Sequence, residues 1–178
     1  MKKFLLLVFV AFNVSFINAK DESDNYVKLI TEVDAYIQNI SSKSQLEGKT
    51  VVDMCLKHDV DIVFVLAQGQ IESHYGTAGA ASRTNSVFNV GAYDGTSPKT
   101  QISRGFGFEH PNDSVEPYLI LLKNDYLVGG TCTESLLRNF VNKYGQRYAT
   151  YTGYEQALRS VYNKINKTTN IKHYQSLM

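Results

Sequence analysis

A chain of 178 residues, 43% hydrophobic and 20% charged, with 12 Tyr and 9 Phe but no Trp, is long enough for one domain with a substantial core and short for two. That composition excludes an intrinsically disordered chain, and a formal net charge of +1 excludes a basic nucleic-acid binder that holds its ligand by neutralising phosphates. Two cysteines exclude a disulfide scaffold and a four-cysteine zinc site.

The first segment in chain order is set apart from the rest. Lys2 and Lys3 precede an apolar run from Phe4 to Phe16, and the small residue Ala19 precedes a polar stretch from Lys20 to Asn25. This pattern reads as a secretory signal over residues 1–19, with an exported domain over residues 20–178. Asn13 and Ser15 interrupt the run and make it a poor membrane span. Ile17, where a small residue is usual, keeps an uncleaved N-terminal anchor as the alternative. Nothing after the signal is long and apolar enough to cross a bilayer. An exported address permits a disulfide between Cys55 and Cys132. Cys55, among Val51, Val52 and Leu56, reads equally well as a buried thiol, and neither cysteine has neighbours expected to lower its pKa.

Tyr26, Leu29, Ile30, Val33, Ile37 and Ile40 follow the spacing of an amphipathic helix. After a polar break from Ser41 to Gly48, Thr50 with Asp53 predicts a capped helix ending near His58. Asp61 then caps the most apolar run of the domain, Ile62 to Ala67, which is apolar all round and therefore predicts a central, buried helix. It continues through Gln68, Gln70 and Glu72 to a stop at Gly76. From Ser86 to Phe108 the pattern changes. Gly91, Asp94-Gly95, Ser97-Pro98, Gly105 and Gly107 mark turns between short β-prone pieces and predict a small inserted β-hairpin lobe. Asp113 or Ser114 caps a helix carrying Val115, Tyr118, Leu119, Leu122 and Tyr126, with Pro117 in its first turn. Thr133 opens another through Leu136, Leu137, Phe140 and Val141, and a last helix runs from about Gly153 to Ile165. The expected class is α+β: a mainly helical lobe around a buried central helix, with the hairpin lobe inserted.

Glu72 is the most informative residue. A carboxylate that follows an apolar run within one helix loses hydration, which raises its pKa and lets it hold a proton near neutral pH. Cleavage of a glycosidic bond needs a proton donor of that kind. The alternative is a helix-end carboxylate pointing into solvent. His58, His74, His110 and His173 form no pair at metal-ligand spacing, and neither a nucleophile elbow nor a phosphate-binding loop occurs. No metal or organic cofactor is implied. Lys164, Lys167, Lys172 and His173 form a basic tail that reads as a solvated helix end or as a contact for anionic polymers.

The stretch Ala67-Gln68-Gly69-Gln70-Ile71-Glu72-Ser73-His74-Tyr75-Gly76 resembles the A-Q-x-x-x-E-S-x-W/Y-G signature of glycoside hydrolase family 73, the N-acetylglucosaminidase domains of bacterial autolysins and flagellar muramidases. Further elements follow in the family's order. Asn85 to Val90 resembles N-N-x-F-G-I, and Phe108 with Asp113-Ser114-Val115 and Tyr118 resembles F-x-S…S-V-x-x-Y. Tyr126 resembles the tyrosine closing the next helix, and Tyr148-Ala149-Thr150 with Tyr154 resembles Y-A-T-D-x-x-Y. The resemblance covers about residues 50–165. Three positions depart from it: Tyr75 stands for Trp, Asn89 for Gly and Tyr151 for Asp.

The resemblance implies a lysozyme-like fold and cleavage of the β-1,4 bond after N-acetylglucosamine in peptidoglycan glycan strands. Glu72 would be the general acid. Tyr148 would line the cleft and steady the positive charge developing at the sugar ring. Tyr75, Phe88, Asn89, Tyr118 and Tyr154 would contact substrate, although Phe88 and Tyr118 suit a core position equally. A second carboxylate is often present in this family, and Glu109 is the first candidate for it. Asp94 reads better as the start of an Asp-Gly turn, Asp113 and Glu116 as capping residues, and Gln101 lies near where a Glu would be expected. A separation of about 5–5.5 Å from Glu72 would imply retention, and about 6.5–9.5 Å inversion. Assistance by the substrate's N-acetyl group and lytic transglycosylation stay open, as does a non-catalytic wall-binding or structural module. The sequence carries no reading of oligomeric state.

Overall fold

The computed structural model describes residues 2–91 and 98–178, with side chains from residue 21 onward except at residue 101. The first helix, α1 (Lys2–Ile40), continues through the segment read as a signal into the domain. Its domain half buries Leu29, Val33, Tyr36 and Ile37, one stripe at helical spacing, against α2 (Gly48–His58).

The cap expected from Thr50 and Asp53 is not the one that forms. Asp34 on α1 accepts from the Gly48 backbone N–H at 2.5 Å, which starts the helix earlier. A Cβ at Gly48 would lie 2.6 Å from that carboxylate oxygen, so the approach requires glycine. Asp53 instead binds Lys49 and the Tyr26 hydroxyl.

The central helix, α3 (Ile62–Ser73), begins as the sequence predicts: Asp61 Oδ1 accepts from the N–H groups of Val63 at 2.9 Å and Phe64 at 3.2 Å. Residues Ile62 to Gly69 are all buried. The helix stops at Ser73, short of Gly76, because His74 (φ 47°) and Tyr75 (φ 56°) both take the left-handed conformation. Ser73 secures the reversal, donating to the Val87 carbonyl at 2.6 Å and accepting from the Gly76 N–H at 2.8 Å.

After α4 (Ala81–Thr84) comes the largest departure from expectation. Among the described residues there is no β-strand, only an isolated antiparallel bridge between Val141 and Arg147. The α+β class with an inserted β-hairpin is therefore corrected to a helical fold, in which the mainly helical, lysozyme-like lobe stands. Within 86–108 the described residues form turns, α5 (Pro98–Gln101) and a wide helical turn over Ile102–Phe106. Asn89 (φ 51°), Gly91 (φ 72°) and Gly105 (φ 81°) are left-handed, which breaks any extended run there. Gly91 is required as well as permitted, since a Cβ would lie 2.1 Å from the Phe106 ring. The Phe108 N–H donates to the Thr84 carbonyl at 2.8 Å and closes the excursion at its base. The Asp94-Gly95 turn lies outside the described residues.

A tight turn over Pro111–Ser114 leads into α6 (Val115–Leu121) and a wide turn over Leu122–Tyr126. Its cap is reciprocal: His110 accepts from the Asn112 N–H, and Asp113 accepts from the His110 N–H at 3.1 Å. Helix α7 (Thr133–Leu136) is shorter than its apolar pattern suggests, yet Leu137 and Phe140 beyond it stay buried. Helices α8 (Tyr154–Thr168) and α9 (Ile171–Gln175) pack on α3. Tyr162 on α8 donates to Asp61 at 2.7 Å, and Gln175 on α9 accepts from the Ile62 N–H at 2.9 Å, so both grip the start of the central helix.

Both cysteines are free, Cys55 buried and Cys132 exposed. Burial drives the Cys55 thiol pKa far up, whereas hydrogen bonding with Ser135 lowers that of Cys132, which the sequence does not suggest. Among the described residues no helix is long and apolar enough to cross a membrane.

Candidate functional site

Helix α3 delivers Gln68 and Glu72, one turn apart and so on one face, to the place where Tyr154, Tyr148 and the 86–91 turn converge. Glu72 is partly buried and bonded at both carboxylate oxygens. The Tyr154 hydroxyl donates to Oε1 at 2.5 Å, and Asn89 Nδ2 donates to Oε2 at 3.2 Å. The same Nδ2 reaches the Glu72 backbone carbonyl at 2.8 Å. Burial raises the Glu72 pKa above the usual carboxylate range, and the two donors pull the other way.

Tyrosine rings wall the carboxylate. Tyr148 stacks on Phe140 at 4.6 Å and on Tyr154 at 5.9 Å, and its hydroxyl donates to the Phe88 carbonyl at 2.8 Å. The Tyr118 hydroxyl donates to Gln68 Oε1. Burial keeps the phenols of Tyr118, Tyr148 and Tyr154 protonated well above their ordinary value, and the negative charge of Glu72 adds to the effect on all three. Glu72 is therefore the group in this cluster that gives up a proton most readily.

The sequence-derived candidates separate clearly. Glu72, Asn89, Tyr148 and Tyr154 come together, and Tyr118 joins them through Gln68. Phe88 and Tyr118 stack face to face, with centroids 3.8 Å apart and planes 8° from parallel, and both are buried. Neither ring face is offered to a ligand in this arrangement. Tyr75 is also buried; its hydroxyl donates to the Leu66 carbonyl at 3.0 Å, and its ring meets Tyr36 edge-on.

Glu109 is exposed, and what the structure ties down there is its carbonyl, which with that of Phe108 accepts from Asn85 Nδ2. Glu116 pairs with Lys57 at 2.6 Å and His58 at 3.1 Å on the surface. Asp94 and the side chain of Gln101 lie outside the described residues. Gln68 carries no role in the sequence reading. Its position one turn before Glu72 was the available signal; Nε2 is buried, makes no full hydrogen bond among the described residues, and lies close enough to the Tyr148 hydroxyl to lower its pKa.

A groove of about 660 Å³ opens beside Val90 and Gly91, next to Asn89, and is lined by Phe106, Pro117, Ile120 and Leu121 among others. Among the described residues no group of three or more His, Cys, Asp or Glu side chains is placed to hold a metal ion.

A helical lobe that presents a desolvated, doubly hydrogen-bonded carboxyl has the form of a general-acid site. The family model for glucosaminidase, described as mannosyl-glycoprotein endo-beta-N-acetylglucosaminidase, matches residues 48–167, from the start of α2 almost to the end of α8. The chain belongs to this family, glycoside hydrolase family 73, and every residue of the cluster lies within the match. Membership supports a glycoside-hydrolase role on cell-wall glycan in general terms. A search among curated proteins returns no match to the chain.

Proposed function

We propose that this protein hydrolyses the β-1,4 glycosidic bond after N-acetylglucosamine in bacterial peptidoglycan, with Glu72 as the general acid. The observation that carries the reading is the Glu72 carboxyl itself: raised in pKa by burial and held in one orientation by Tyr154 and Asn89. Such a group holds its proton to higher pH than an exposed carboxyl does and delivers it along a fixed direction. The proton passes from the Glu72 carboxyl to the glycosidic oxygen as the bond from that oxygen to the sugar C1 breaks. Water adds at C1 and gives up its own proton.

Tyr148 stands beside the acid with its hydroxyl proton engaged by the Phe88 carbonyl, which leaves its oxygen lone pairs to steady positive charge at the sugar ring. Tyr75, Phe88 and Tyr118 support the site from within the core. The glycan runs along the groove beside Val90 and Gly91. In this reading residues 1–19 direct export, which brings the domain to its polymer.

The role of receiving the water's proton falls to Glu109 or is replaced by attack of the substrate's N-acetyl group. The exposed position of Glu109 also favours a second reading, lytic transglycosylation, which needs one acid and no activated water. Digestion of purified peptidoglycan with mass spectrometry of the products tests these readings together. Reducing N-acetylglucosamine ends support the proposal, and 1,6-anhydromuramic ends replace it with the transglycosylase. Loss of about 100-fold or more in kcat for Glu109→Gln assigns Glu109 the proton-accepting role, while near-wild-type turnover removes it.

A further inference from the structure

One amide nitrogen, Asn89 Nδ2, holds two acceptors of a single residue: the backbone carbonyl of Glu72 at 2.8 Å and its carboxylate at 3.2 Å. Carbonyl and carboxyl of Glu72 are thereby clamped to each other, which fixes the side chain against the end of α3. The clamp is itself rigid. Asn89 sits at φ 51°, a left-handed conformation that asparagine tolerates better than most residues, and its N–H donates to the Ser86 carbonyl at 3.0 Å. The neighbouring Phe88 is fixed through its carbonyl by Tyr148 and through its ring by Tyr118.

The other end of the amide makes the case stronger. Asn89 Oδ1 is buried and has no hydrogen-bond partner among the described residues. Turning the amide over would not improve matters, because it would set Oδ1 against two oxygens of Glu72 in place of the N–H donors. An amide retained with one end unsatisfied has its use at the other end.

We infer that Asn89 is a positioning residue for Glu72, setting both the direction in which the acid points and how firmly it holds its proton. The inference rests on the reading of Glu72 as proton donor. The groups that face the carboxyl from other elements are the hydroxyl of Tyr154 on α8, the hydroxyl of Tyr148 before it, and the hydroxyl of Tyr118 on α6. All three stay neutral far above the range in which a carboxyl titrates, and no cation acts on Glu72 among the described residues. A donor to the ionised form favours that form, so the Asn89 amide holds the acid's titration lower than burial alone would place it.

The test is a ¹³C NMR titration of the Glu72 carboxyl, assigned by its absence in Glu72→Gln, in the wild-type chain, Asn89→Gly and Asn89→Asp. Glycine accepts the left-handed backbone and removes the donor. Aspartate is nearly isosteric, keeps the site filled and faces Glu72 with like charge, so it remains informative where the glycine variant melts early. The expected result is a midpoint displaced upward by at least about half a pH unit in Asn89→Gly and further in Asn89→Asp. The alkaline limb of kcat moves with it, and kcat at the optimum falls about tenfold or more as the acid loses its aim. An unchanged or lowered midpoint in folded variants overturns the inference, and a loss of thermal stability alone reduces Asn89 to a structural residue. The titration needs no turnover. A midpoint that depends on Asn89 in a protein that cleaves no glycan would therefore count against the hydrolase reading while leaving the clamp in place.

Discussion

Tyr154 and Glu72 stand 82 residues apart in the chain, yet the hydroxyl of one lies 2.5 Å from carboxylate Oε1 of the other. The bond joins the first residue of α8 to the last turn of α3, two helices that pack against each other across the core. It makes the acid a product of tertiary structure: α3 supplies the carboxyl, and Tyr154 of α8 joins Asn89 in setting which way it faces and how tightly it keeps its proton.

Tyr154→Phe should therefore separate chemistry from stability. The ring packing against Tyr148 and Phe140 survives, and only the donor to Glu72 is lost. A hydrogen bond to a charged group is worth about 1.5–3 kcal/mol. Loss of the donor disfavours the ionised carboxyl, so the alkaline limb of the pH–rate profile moves to higher pH while kcat falls about 10- to 100-fold. A pH–rate profile with melting curves checks this. A limb that does not move would show that the hydroxyl does not act on Glu72.

Stability should carry the same signature. Burial holds the Glu72 carboxyl above its usual range, so the native protein keeps a proton that the unfolded chain has already released. Between the ordinary carboxylate midpoint and the raised one, stability contributed by this group falls as pH rises. Glu72→Gln carries no charge and escapes that loss. The melting-temperature difference, variant minus wild type, grows with pH across this interval and levels off above it. A pH-independent difference contradicts the account.

The thiols should differ sharply in reactivity. Cys132 is exposed and its pKa is lowered by Ser135, whereas Cys55 is buried and its pKa is raised by that burial. A thiol reagent should label Cys132 within the native protein and Cys55 only after unfolding. Reductant should leave the melting temperature unchanged. A reductant-sensitive melt would indicate a bridge and refute the free-thiol assignment.

The parts of this arrangement that were legible in the sequence are the local ones. Asp61 and the apolar run after it specify the start and burial of α3 within a few residues, and Glu72 follows on the same helix. The cap of α2 was not legible, because it comes from Asp34 on another helix. The hairpin failed for a different reason. Glycines and Asp-Gly pairs mark where the chain turns without stating what lies between the turns, and the left-handed Asn89 removes the continuity a strand needs. The aromatic residues show the same limit: the family resemblance implies Phe88 and Tyr118 as sugar contacts, but the fold lays each against the other. The family resemblance singles out Asn89 and Tyr154. Their bonds to Glu72, across 17 and 82 residues, exist only in the folded chain.

Whether the Glu72 carboxyl drives glycan cleavage is decided by turnover of purified peptidoglycan by the wild-type protein beside Glu72→Gln. The expected variant folds, still binds the glycan and loses at least about 1,000-fold in kcat, with new reducing N-acetylglucosamine ends vanishing from the products. Turnover within a few-fold of wild type in the folded variant would contradict that role for Glu72.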